Sequence, residues 1–181
     1  GIDSDTFEKT STAIRTRGFW LGTNLVTALI AASVINIFKD TLEQVIFLAV
    51  LMPIIASMGG VAATQTLTIT VRGLALGQIV KANYLYLFNR ELIVGISNGF
   101  LWAVILSLIA CTWFQDWLLA WVICLSMIIN LTAGVLSGMG IPILLRSLKL
   151  DPAVAGSVIV TTVTDVIGFF SFLGLASYFY S

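Results

Sequence analysis

The chain has no histidine and little charge of either sign. Without an imidazole there is neither a ready general base nor the commonest ligand for a transition metal. Only 10% of its 181 residues are charged, against roughly 25% in a soluble domain. The two cysteines, Cys111 and Cys124, are too few for a zinc site or a disulfide framework and read as buried free thiols. The formal net charge is zero, so no basic surface invites nucleic acid. What fills the sequence is apolar: 59% hydrophobic residues and a mean hydropathy of +1.04. A water-solvated core of this size cannot hide that much apolar surface, so lipid must be the solvent for much of the chain.

Five apolar stretches are separated by short charged segments. They run from Arg17 to Lys39, Gln44 to Val71, Leu92 to Gln115, Trp117 to Leu145, and Pro152 to the C-terminus. A bilayer core needs about 20 helical residues, so each stretch can span it. The second, fourth and fifth are longer and should tilt, kink or protrude. Pro53 with Gly59-Gly60 predicts a break in the second, and Gly138, Gly140 and Pro142 in the fourth. Asp151-Pro152 predicts a capped start for the fifth.

The basic residues set the expected orientation. Lys9, Arg15, Arg17, Arg72, Lys81, Arg90, Arg146 and Lys149 all fall on one side of a five-span arrangement, and Lys39 alone on the other. The excess of Lys and Arg predicts a cytoplasmic N-terminus and an outside C-terminus. Trp113, Trp117, Trp121, Tyr178 and Tyr180 then mark the outer interface. The fold class expected is an all-α integral membrane protein in the plasma (inner) membrane, with residues 17–181 as its transmembrane unit.

Two of the stretches carry polarity that lipid does not favour. In the second, Ser57, Gly60, Thr64 and Thr68 share a helical face, with Gln65 beside them. In the fifth, Ser157, Thr161, Thr164, Asp165 and Gly168 do the same. Small and hydroxyl residues also serve tight helix packing, and Gly134-xxx-Gly138 in the fourth stretch fits that use. Asp165 is different. It lies near the middle of its stretch, where a carboxylate costs at least about 2.5–3.5 kcal/mol. No Lys, Arg or His lies inside any span to pair with it. A protonated Asp bonded to Thr or Asn is one solution, and a wet cation path is the other. The interior ligands on offer are one carboxylate, hydroxyls, amides and carbonyls near glycine. These hard oxygens suit Mg, Ca or Mn. One carboxylate cannot cage a bare divalent ion, but a symmetric dimer would bring two to one axis. An intramembrane enzyme is disfavoured: a single intramembrane Asp and no His leave an aspartyl or serine protease short of its groups. A proton- or Na-coupled transporter stays open as an alternative to passive permeation, and so does a purely structural subunit.

At this point PIIASMGGVAATQTLTITVRGLALG (Pro53 to Gly77) and DPAVAGSVIVTTVTDVIGFF (Asp151 to Phe170) resemble the transmembrane domain of the MgtE family of magnesium channels. The resemblance implies a homodimer with the ion path on its two-fold axis, lined by the second and fifth helices. It implies that Asp165 binds hydrated Mg2+, the transported ion, helped by carbonyls around Gly59 and Gly60 and by the helix preceding the Asp, which carries Thr161 and Thr164. It also implies cytoplasmic Mg-sensing domains upstream. The chain starts Gly-Ile-Asp rather than with Met, and residues 1–16 are expected to end a linker helix from such a region. Val61 departs from the Asn common after the Gly-Gly pair, and Ala63 from a frequent Gly, which bears on the ion's identity.

Overall fold

The computed structural model describes residues 7–181. Every regular element among them is helical: α1 (Thr10–Ile37), the short α2 (Lys39–Gln44), α3 (Phe47–Ala75), a 3-10 turn (Lys81–Asn83), α4 (Tyr84–Phe114), α5 (Trp117–Ser147) and α6 (Val154–Tyr180). Five of these, α1, α3, α4, α5 and α6, are long and apolar enough to cross a membrane, as the five stretches predict.

The ends differ from the sequence expectation. The third spanning helix begins at Tyr84, not Leu92, so Arg90 and Glu91 lie two turns inside α4. Arg72 and Arg146 likewise sit in the last turns of α3 and α5 rather than in loops. An apolar run marks the hydrocarbon boundary, whereas the helix continues until its backbone groups find other partners. One such partner is Arg146, whose Nη1 donates to the carbonyl of Leu74 at the end of α3. α1 already begins at Thr10, so residues 10–16 of the expected linker are continuous with the first span. The part of that linker before residue 7 lies outside the described residues.

The predicted breaks do not interrupt the helices. α3 is helical through Pro53 and Gly59-Gly60, and α5 through Pro142. Lipid offers no water to satisfy freed backbone groups, so the helical ladder persists around a missing N–H. Asp151 caps a turn through Ala153 N–H to Oδ1 at 3.0 Å, and α6 starts just beyond, at Val154. Asp116 caps α5 by accepting from Leu118 N–H at 2.9 Å.

α5 is the central post and packs along α3, α4 and α6. Its small residues permit the close approach. A Cβ on Gly134 would lie 2.7 Å from the carbonyl oxygen of Gly59, and one on Gly138 would lie 2.5 Å from that of Ala63. The Gly134/Gly138 pair is therefore a packing seat for α3. α1 leans on α6 and leaves Phe19, Leu25 and Leu29 exposed, as a lipid-facing helix should. Trp113, Trp117 and Trp121 are exposed at the α4–α5 turn, the position of an aromatic belt. Cys111 and Cys124 are free and half-buried.

Candidate ion site on helices α3 and α6

α3 presents three faces. Leu48, Ile55, Gly59, Ala63, Thr66 and Thr70 are buried against the bundle. A second face carries Ser57, Gly60, Thr64 and Thr68, which with Gln65 and Thr161 of α6 line a groove of about 610 Å³. The third face, which includes Met58 and Ala62 and borders the buried Thr66, looks toward α4. Val61, Gln65 and Ile69 form the ridge shared by the second and third faces. Three faces on one helix follow from the 3.6-residue repeat: small residues meet α5, while hydroxyls and an amide are left outward.

The groove's threonines are held in a common manner. Thr64 Oγ1 donates to the carbonyl of Gly60 at 2.8 Å, and Thr68 Oγ1 to that of Thr64 at 2.9 Å. Across the groove Thr161 Oγ1 donates to the carbonyl of Ser157 at 2.8 Å. Each hydroxyl proton is thus committed to its own helix. What remains on the oxygen is a lone pair, an acceptor suited to a cation or to the water around one. The groove offers oxygen ligands only, the donor set of a hard cation.

The face predicted on α6 divides in two. Ser157, Thr161 and Asp165 form an outward row spaced by four residues: Ser157 and Thr161 are exposed and Asp165 is half-buried. Thr164 and Gly168 are fully buried against the bundle. Thr164 Oγ1 donates to the carbonyls of Val160 and Thr161 at 3.2 and 3.0 Å. Gly59 is likewise turned to α5, while Gly60 lines the groove with its carbonyl already accepting from Thr64. The fold thus gathers Ser57, Gly60, Thr64, Gln65, Thr68 and Thr161, and sets Gly59, Thr164 and Gly168 behind them.

Asp165 is eleven residues from Val154 and fifteen from Tyr180, near the middle of α6. Among the described residues no group hydrogen-bonds to its carboxylate or pairs with it. The Thr or Asn partner that a protonated, purely structural Asp needs is not supplied by the described residues of one copy of the chain. Nor do the described residues contain a cluster of three or more His, Cys, Asp or Glu side chains that could hold a metal by themselves.

Sequence reasoning counts Asn130 only among the polar and small residues of its stretch and gives it no role, yet it ties these two helices together. Asn130 of α5 is fully buried. Its Nδ2 donates to the carbonyl of Ile55 on α3 at 2.8 Å, and its Oδ1 has no partner among the described residues. Gly59 and Gly168 enclose this amide: a Cβ on Gly59 would collide with Nδ2, and one on Gly168 would lie 2.9 Å from it. A lone Asn in a span and two separate glycines carried a signal only when taken together.

The MgtE family model, described as a divalent cation transporter, matches residues 52–175. The magnesium transporter MgtE of Bacillus subtilis is 35% identical over 160 residues, which cover 88% of this chain and 36% of that protein. MgtE of Enterococcus faecalis is 30% identical over 88% of the chain, and MgtE of Thermus thermophilus 29% over 87%. The chain spans about a third of the length of these relatives. The match runs from α3 through most of α6 and includes both grooved helices and Asp165, and the chain belongs to the MgtE family of divalent cation transporters.

Proposed function

We propose that this chain forms the membrane pathway of a magnesium transporter, permeated passively by hydrated Mg2+. In this reading two copies pair with the α3–α6 groove facing the two-fold axis, and one Asp165 from each copy holds the ion at mid-membrane. The N-terminus is cytoplasmic and the C-terminus outside, in the plasma (inner) membrane. Residues 1–16 lead in from Mg-sensing domains and 17–181 form the pore unit.

The observation that carries the reading is Asp165: a half-buried carboxylate in the middle of a spanning helix, with no partner among the described residues. A charge so placed requires an ion, water or a second chain. Two carboxylates on an axis would balance a divalent charge. Mg2+ keeps several of its waters and is commonly held through them by one or two carboxylates. The hydroxyl oxygens of Thr64, Thr68 and Thr161, their protons turned inward, suit second contacts to those waters. Family membership and the MgtE relatives support Mg2+ as the ion and transport rather than catalysis as the activity.

A structure of the chain in lipid with Mn2+ as an anomalous stand-in for Mg2+ tests this. Density is expected between two Asp165 side chains, with carboxylate oxygens beyond the ~2.0–2.1 Å of direct Mg2+ coordination. An empty axis, or Asp165 facing lipid in the dimer, contradicts it. Flux that needs a proton or Na gradient would point to the coupled transporter instead.

A further inference from the structure

The third face of α3 opens on a cleft that the ion path does not use. It lies between α3 and α4 over α5, with a volume of about 450 Å³. α3 and α4 scarcely touch, so the cleft is open sideways. Its polar groups include Arg90, Glu91, Gln65 and Asn98, and its apolar wall includes Val94, Trp102 and Val135.

The charged pair sits at a particular depth. α4 has 31 residues, about 46 Å at a rise of ~1.5 Å per residue. The hydrocarbon core is about 30 Å thick, so about 8 Å of helix projects at each end if shared equally. Arg90 is six residues into α4, hence about 9 Å along it and level with the headgroup boundary. Trp102 lies three turns deeper, at acyl-chain depth. The cleft is thus charged at the lipid headgroup level and apolar below it.

The charges are of opposite sign and incompletely paired among the described residues. Arg90 has no hydrogen-bond or ion-pair partner among the described residues. Glu91 accepts through Oε2 from Thr66 Oγ1 at 3.0 Å, which turns the carboxylate into the cleft and leaves Oε1 unbonded. A guanidinium beside a carboxylate matches a headgroup that carries a phosphate and a primary ammonium together. An anionic headgroup without an amine would meet Glu91 as a like charge.

We propose that the α3–α4 cleft binds one amine-bearing zwitterionic phospholipid, its phosphate on Arg90, its ammonium on Glu91 and an acyl chain along Val94, Trp102 and Val135. Native mass spectrometry of the detergent-purified chain, titrated separately with phosphatidylethanolamine, phosphatidylglycerol and phosphatidylcholine, tests it. Phosphatidylethanolamine is expected to be retained about tenfold better than phosphatidylcholine, whose ammonium cannot donate a hydrogen bond. Arg90→Ala should weaken all three lipids. Glu91→Gln should bring phosphatidylethanolamine close to phosphatidylcholine and leave phosphatidylglycerol no weaker. Because Glu91 also bonds Thr66, Ala62→Trp is the second variant: it fills the cleft from α3 and should displace the lipid with both charges in place. Equal retention of the three lipids, a preference for phosphatidylglycerol, or retention unchanged by all three variants would overturn the proposal. So would a Val94→Cys disulfide between two copies in lipid, which would make the cleft's occupant a second chain.

Discussion

The amide nitrogen of Asn130 donates to the carbonyl of Ile55 at 2.8 Å, across the crossing of α5 with α3 and wholly out of contact with solvent or lipid. The same side chain rests on Gly168, three residues from Asp165. One amide therefore joins α3, which supplies most of the groove's hydroxyls, to α6, which carries Asp165.

That junction tolerates little change. Gly168→Ala would put a methyl 2.9 Å from Asn130 Nδ2, and the crowding should cost about 1–3 kcal/mol. Asn130→Ala removes the interhelical bond, worth about 0.6–1.7 kcal/mol in membranes, and adds the cost of the cavity it leaves. Thermal unfolding in detergent should show both variants melting lower. Because the amide and the glycine share one contact, the double variant should lose less than the sum of the single losses.

The groove hydroxyls should separate function from stability. Thr64 and Thr161 are exposed, and each donates within its own helix. Thr64→Val and Thr161→Val keep the shape and remove the outward oxygen together with its bond to a carbonyl that the helix backbone already uses. Stability should change by less than about 0.5 kcal/mol, as for surface changes that break no cap or core contact. Mg2+ uptake into vesicles should nevertheless fall severalfold in each. Unchanged uptake would remove these oxygens from the path.

At the other end of the bundle Tyr180 Oη donates to Asp116 Oδ2 at 2.5 Å, while the other oxygen of Asp116 caps α5. The last residue of α6 is thereby tied to the first turn of α5, beside the stack of Phe47 on Phe114 at 4.8 Å. Tyr180→Phe should cost about 1.5–3 kcal/mol, the range for a hydrogen bond to a charged partner. The measurement is unfolding temperature. Because the clasp lies away from the groove, uptake per folded molecule should not change.

The five spans, the outward oxygens of α3 and the exceptional status of Asp165 were all legible in the sequence, since each follows from apolar run length or from a 3.6-residue repeat. The helix ends were not: hydropathy marks where lipid stops, so Arg90 and Glu91 read as loop although the backbone around them is helical. The α6 face was read too broadly, because helical spacing alone does not separate Thr164, which packs on the bundle, from Thr161, which faces out. Asn130 stood out only as one polar residue of its helix, because its role lies in Gly59 and Gly168, far from it in sequence and against it in space. The pairing of helices is tertiary information that no single stretch contains.

In the proposed pathway the Asp165 carboxylate carries the ion. Mg2+ flux into proteoliposomes holding the wild-type chain or Asp165→Asn tests it most directly, with thermal unfolding and cross-linking confirming that the variant folds and pairs as the wild type does. Asn keeps the size and removes the charge, so flux should fall to the level of empty liposomes. Wild-type flux in Asp165→Asn would take the carboxylate out of the ion path.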